Sequence, residues 1–298
     1  MFSSAAFAMI LSKLSLGTAQ FGAVYGVTND IGRVSNEEIV QIVRYAQSNG
    51  ISSIDTAVAY GDAEERLGLL DLSGFSVITK VPAYDGSVPA RTWLMGHVNA
   101  SISRMRVRPS SVLLHHPADL LGPYGPELSR ALHDALDSGF IGGIGVSVYE
   151  PGELAALNRV VKCTDIQLPF SVIDRRMLSC DFLEHLVNEG VRIHARSAFL
   201  QGLLLQRPES LPVFFSRWRP LWVRWWGWLE ENDIDPVAAC LSFSLNTPLI
   251  FRVVVGVLSV EQLKYISEVL SYAPIEVPDW MAVGELDLID PSRWRLVS

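Results

Sequence analysis

The chain has 298 residues, 49% of them hydrophobic and 19% charged, with a formal net charge of -8. That length suits one large α/β barrel, which takes roughly 250 residues plus insertions. The acidic balance argues against a nucleic-acid surface, and no apolar run is long enough to span a membrane. Three cysteines, Cys163, Cys180 and Cys240, stand in no metal-ligand spacing and form no disulfide framework. They read as buried thiols of a reducing compartment.

The first segment, MFSSAAFAMILSKL, lacks the basic start and clean apolar core of a signal peptide. Residues 1–10 read as a loose extension, and the protein is expected in the cytoplasm. Short β-rich runs then recur at Leu14–Leu16, Ile51–Thr56, Ser76–Lys80, Ser111–His115, Gly143–Ser147, Asp165–Leu168, Arg192–Arg196 and Arg252–Val255. Between them lie helical patterns. Asn36–Ser48 follows Ser35 with Glu38 three residues on, a capping-box spacing, and stops at Asn49-Gly50. Leu128–Leu136, Cys180–Asn188, Val237–Leu245 behind Asp235-Pro236, and Val260–Leu270 behind Ser259 complete the series. Leu211–Trp228 is crowded with Phe and Trp and reads as a bulky, aromatically packed helix; a substrate wall is the sharper alternative.

About eight β-then-α units predict α/β architecture with a single closed (β/α)8 TIM barrel spanning residues 1–298. An open doubly wound sheet is disfavoured, because no G-x-G-x-x-G turn follows the first strand and no Walker loop appears. Barrel enzymes work at the C-terminal strand ends, and these ends carry polar residues: Asp55, Lys80, His115 and His116, Ser147, Gln167 and Arg196. Asp55 and Lys80 on neighbouring strands would pair, and a buried pair alone is most simply structural. Tyr60 on the following loop changes the reading. A phenol gives up its proton poorly near neutrality, and a nearby ammonium stabilises the phenolate. With a histidine to orient a carbonyl, the group could protonate a developing alkoxide. Periodicity leaves His115 and His116 equal, since both faces of a barrel strand are buried. Adjacent residues on one strand cannot easily share a metal ion, so no metal is expected.

At these residues the chain resembles the aldo-keto reductase superfamily. The resemblance runs from LGTAQFG (Leu16–Gly22) through GISSIDTAVAYGDAEERLG (Gly50–Gly68), VITKV (Val77–Val81), VLLHHP (Val112–Pro117), GGIGVSVY (Gly142–Tyr149) and ARSAFLQGLLL (Ala195–Leu205) to VVVGVLSVEQL (Val253–Leu263). It implies a catalytic set of Asp55, Tyr60, Lys80 and His115, the histidine chosen because it stands two before a proline. It implies a nicotinamide cofactor, NADP(H) rather than NAD(H), and a small carbonyl substrate. Cofactor contacts would fall on Thr18, Ala19, Asp55, Ser147, Gln167, Arg196, Ser197, Gly202, Gly256 and Gln262.

The chain departs from the family pattern at three places. Val148 stands where an asparagine is usual, Arg196 where an aromatic ring stacks on the nicotinamide, and Gln262 where a basic residue reads a 2′-phosphate. Lys264 and Arg252 are the substitutes offered for that last role. Two competing functions remain: a Schiff-base lyase or aldolase using Lys80 as nucleophile, and a non-catalytic nucleotide-binding barrel.

Overall fold

A computed structural model of the chain describes residues 4–270 and 274–294. Eight parallel strands close in chain order: β1 (Leu14–Gly17), β2 (Ser53–Asp55), β3 (Ser76–Val81), β4 (Ser111–Leu114), β5 (Ile144–Ser147), β6 (Asp165–Pro169), β7 (Arg192–Arg196) and β8 (Arg252–Gly256), with β8 paired back to β1. Every strand expected from the sequence is present, β2 being shorter than its apolar run. The helices before and between the first strands are α1 (Ser4–Ser12), α2 (Ala19–Gly22), α3 (Asn36–Ser48) and α4 (Ala63–Leu67). Those after β3 to β6 are α5 (Ala90–Met105), α6 (Gly125–Asp137), α7 (Pro151–Leu157) and α8 (Asp181–Asn188). Two helices, α9 (Arg219–Glu231) and α10 (Pro236–Leu245), follow β7, and α11 (Val260–Val269) follows β8.

The ends of α3, α10 and α11 follow from their caps. Ser35 accepts from the Glu38 amide, Asp235 from those of Val237 and Ala238, and Ser259 from that of Gln262. Residues 1–10 are not a loose extension where they are described. Ser4 onward is helical, Leu11 is buried, and Phe7 and Ile10 pack against the core. Phe7 and Ile10 give the stretch an apolar side that packing on the core removes from water.

The main core lies between strands and helices. A second cluster, holding Phe215, Trp218, Trp222 and Trp225, sits under the connection after β7. The barrel lumen itself is polar. Gln167 on β6 donates to Asp55 on β2, four strands away around the ring, so this bond crosses the lumen. Ser111 on β4 reaches Asp165 on β6 by the same inward route. Alternation turns both Asp165 and Gln167 inward, and their places along β6 set the first near the N-terminal floor and the second nearer the C-terminal mouth. Of the three cysteines, Cys240 is buried, whereas Cys163 and Cys180 are partly exposed; all three are free.

Candidate active site

The mouth is organised by Lys80. Its Nζ donates to Asp55 Oδ1 at 2.6 Å, to the Thr56 carbonyl at 3.0 Å and to Tyr60 Oη at 3.3 Å. Its side chain is fully buried. Burial works against the ammonium, but the Asp55 carboxylate and the Tyr60 phenol outweigh it and hold the Lys80 pKa above its ordinary value. The other Asp55 oxygen accepts from Gln167 Nε2 at 2.7 Å. A carboxylate with both oxygens occupied is fixed in orientation, and it fixes the ammonium in turn.

Tyr60 arrives on a turn rather than a strand, and local packing determines its position. A Cβ at Gly22 would collide with the Tyr60 carbonyl, and one at Gly61, where φ is 57°, would collide with the Gly22 carbonyl. Two glycines thus let the Tyr60 turn lie directly on α2. Arg66, in the same motif, bonds the carbonyls of Phe21 and Val34 and the Asn36 side chain, tying down both ends of the long connection after β1.

His115 stands edge-on to Tyr60, ring centroids 6.0 Å apart. Burial, then the charges of Lys80 and His116, pull its imidazole down to about 4. The ring is therefore neutral near pH 7. His116 is exposed, 5.8 Å from His115 between ring centroids. The structure thus brings all four residues expected to be catalytic to one corner of the mouth.

Beside that corner opens a cavity of about 470 Å³. Asp55 and Tyr60 line it, and its wall continues through Thr18, Ala19, Gln167, Arg196 and Ser197 to Gly202, Gly256 and Gln262. Every expected cofactor contact is therefore on its wall except Ser147, which is buried beside Gln167 in register. The cation of Arg196 lies 4.1 Å from the Tyr149 ring centroid, donates to the Val148 carbonyl, and has no carboxylate partner among the described residues. Gln262 turns its side chain back to accept from the Leu258 amide. The substitutes offered for a 2′-phosphate do not reach the cavity. Arg252 sits at the start of β8, on the barrel floor, and Lys264 pairs with Glu261 on exposed α11.

One part of this wall was not anticipated, and a second was expected without its strained backbone. Tyr25, Gly26, Thr28, Asn29, Asp30 and Ile31 all line the cavity. The signal was available, since 18 residues separate β1 from α3, and long ordered loops are commonly functional. The second part is the turn after β7, where Ser197, Leu200 and Gln201 adopt left-handed backbone with φ of 65°, 48° and 55°, followed by Gly202 at 90°. Non-glycine residues there are strained and must be held by their surroundings. The aromatic helix holds them. Trp222 and Trp225 donate to the carbonyls of Leu203 and Leu204 at 3.0 and 3.1 Å, and Trp226 to that of Gln206 at 2.6 Å. None of these indoles lines the cavity, so the Trp-rich segment is no substrate wall; it is the aromatically packed helix that its composition suggests, and its indole N–H groups also brace the turn.

The aldo/keto reductase family model matches residues 13–287. The chain belongs to the aldo/keto reductase family. Over 143 residues it is 30% identical to the 6-dehydroglucose reductase of Novosphingobium aromaticivorans, a match spanning 41% of this chain and 45% of that protein. The solved holo form of the aldo-keto reductase AKR11C1 from Bacillus halodurans superposes with a TM-score of 0.71 at 19% identity, covering 95% of each chain. No helix among the described residues is long and apolar enough to cross a membrane, and no group of three potential metal ligands occurs among them.

Proposed function

We propose that this reductase converts a small aldehyde or ketone to its alcohol with a nicotinamide dinucleotide as reductant, and that Tyr60 is the proton donor. The observation that carries the reading is Lys80 Nζ held between Asp55 Oδ1 and Tyr60 Oη at the edge of the cavity. The wall suits a dinucleotide. Gly202 is packed so tightly on Thr28, and Gly256 on Gln20, that a Cβ at either would collide, which leaves bare backbone facing the cavity. Bound there, the reduced nicotinamide supplies the hydride.

The protein's residues do the rest. Gln167 and the segments after β1 and β7 orient the ring end; Asp55 keeps Lys80 charged and in place. As negative charge develops on the carbonyl oxygen, Tyr60 gives up its proton, and the ammonium 3.3 Å from its oxygen stabilises the phenolate left behind. Neutral His115 donates a hydrogen bond to the same oxygen without adding charge. The Schiff-base alternative fares worse, because a nucleophilic lysine needs a depressed pKa and this one is raised. A purely nucleotide-binding barrel would have no use for the Tyr60–Lys80 contact. NADP(H) was expected over NAD(H) from the resemblance, but with Arg252 at the floor and Lys264 paired elsewhere we carry forward only the nicotinamide dinucleotide. Calorimetric titration with NADPH and with NADH assigns the phosphate.

Tyr60→Phe is the test. It removes one hydroxyl and leaves the ring. Cofactor affinity should survive, while single-turnover reduction of an aldehyde slows by roughly a hundred- to ten-thousand-fold, the range for loss of a general acid. An undiminished rate in this variant would place the proton donor elsewhere.

A further inference from the structure

The floor of the barrel carries a second feature that carbonyl reduction does not use. Three consecutive strands around the ring, β7, β8 and β1, present a cation at the floor: Arg192 and Arg252 open their strands, and Lys13 directly precedes its own. The three side chains line one cavity of about 640 Å³, and no carboxylate lines it. A barrel floor is ordinarily filled by apolar side chains, because nothing there needs charge.

Two of these cations have partners. Arg192 makes a two-pronged bond to Asp165 at 2.7 and 2.9 Å, and Lys13 donates to the Leu245 carbonyl at 3.0 Å. The Arg252 guanidinium has neither a carboxylate partner nor a hydrogen bond among the described residues, and lies over the Phe251 ring, 5.0 Å from its centroid. Burial, then the like charge of Arg192, lower its pKa, and the more distant Asp165 carboxylate offsets them only in part. Beside Arg252 in register stands buried His194, whose Nε2 bonds Asp165 at 2.8 Å and whose Nδ1 has no partner. Glu189, the nearest acid in sequence to the cavity wall at Gly190, pairs with His185 on the exposed face of α8. The cluster thus sets three cations against one buried carboxylate, in a protein whose overall charge is -8.

A half-buried guanidinium flanked by like charges is unfavourable unless something answers it. Its planar fork matches the oxygens of a phosphate or carboxylate. Apart from Ser12 and Ser52, the rest of the lining carries no polar side chain, with Met9 and Phe251 exposed at its rim and Leu249 and Ile250 on its wall. We propose that the barrel floor is a binding site for a small organic oxyanion, a phosphate or carboxylate on an apolar body, held by Arg252 with Lys13 and Arg192. This site is separate from the mouth, since Arg252 opens β8 and Gly256, at the other end of the strand, lines the upper cavity.

The test is calorimetric titration of the full chain with inorganic phosphate and with phenyl phosphate, at constant ionic strength. The parent should bind both saturably, phenyl phosphate more tightly because its ring covers apolar wall. Arg252→Gln should weaken both at least about tenfold, the loss expected of a hydrogen bond to a charged group, and should leave aldehyde reduction as it is. Phosphate held at the mouth would not respond to this change. Lys13→Gln, read beside it, should weaken binding in the same direction and keeps the question open to measurement if the arginine variant does not fold. Absence of saturable binding to the parent, or parental affinity in both variants, overturns the proposal.

Discussion

Mouth and floor of this barrel are each built around a buried carboxylate and a cation, and they treat the pair differently. At the mouth, Asp55 and Lys80 are 2.6 Å apart, and the ammonium has one further side-chain partner, the Tyr60 hydroxyl. At the floor, Asp165 takes Arg192 at 2.7 Å together with His194, Ser111 and Thr164, and is saturated. The mouth pair therefore keeps a reactive group on its open side. The floor pair neutralises itself and leaves its neighbour Arg252 unanswered. One arrangement is suited to moving a proton and the other to holding structure and charge.

The strongest way to break this contrast is to remove a cation from the mouth. Lys80→Met should slow reduction by about a hundred- to ten-thousand-fold, like Tyr60→Phe, and combining the two should be little worse than either, because they act as one unit. It should also cost about 3–5 kcal/mol of stability, since Asp55 is left buried without its partner. Asp55→Asn with Lys80→Met should regain most of that stability and none of the rate, as read by urea denaturation beside single-turnover kinetics. Recovery of rate in that double variant would show that the pair is structural only.

The floor counterpart comes next in size. Asp165→Asn should cost a similar few kcal/mol by leaving Arg192 without its carboxylate, yet preserve the rate per folded molecule. Against the opposing effect of burial, bonds from His194 and Arg192 hold Asp165 well below the usual carboxylate range. Its contribution is thus full above the unfolded-state value near about 4 and is lost as pH falls below it. The Asn variant should lack that acid-side component. A rate loss in this variant, with cofactor binding intact, would tie the floor to the chemistry.

What the sequence made legible divides along the same lines. The strands were readable because short β-branched runs alternate with capped helices, and Ser35, Asp235 and Ser259 mark their helix starts openly. The four mouth residues were readable because they end successive strands or follow one closely. The helix α5 was left without bounds, because Gly96, Asn99 and two serines dilute its apolar spacing and Pro89 gives it no side-chain cap. The cavity wall at Tyr25–Ile31 was passed over because a loop has no period. The floor cluster was invisible for another reason: Lys13, Arg192 and Arg252 are 60 to 240 or so positions apart, and only closure of β8 onto β1 makes them neighbours.

Behind the mouth, the tryptophan brace predicts a smaller effect. Trp222→Phe keeps the buried ring volume roughly but leaves the Leu203 carbonyl without its donor. The loss should be about 1–3 kcal/mol of stability. Because Gln201 and Gly202 of the strained turn line the cavity, cofactor affinity should fall while the chemical step on bound substrate stays the same. A variant that loses stability but keeps parental NADPH or NADH affinity would reduce the brace to packing.

The finest distinction concerns His115, whose imidazole is pulled down to about 4 by burial and by Lys80 and His116. An unfolded chain takes up this proton near pH 6.5. Between about 6.5 and 4 the unfolded state therefore binds more protons at this position than the folded state, and stability rises with pH across that window. His115→Gln should flatten the corresponding slope in urea midpoints measured from pH 7 to 4, leaving the Asp165 component below it. The same depression means that the ring is uncharged throughout the range in which the enzyme is assayed. Single-turnover rates of the parent should then show no step from His115 between pH 5 and 8, since a neutral hydrogen-bond donor is what the developing alkoxide meets at every pH in that range. A step near 6.5 that disappears in His115→Gln would mean that the histidine works as the imidazolium, and that the mouth carries one more positive charge than its geometry now implies.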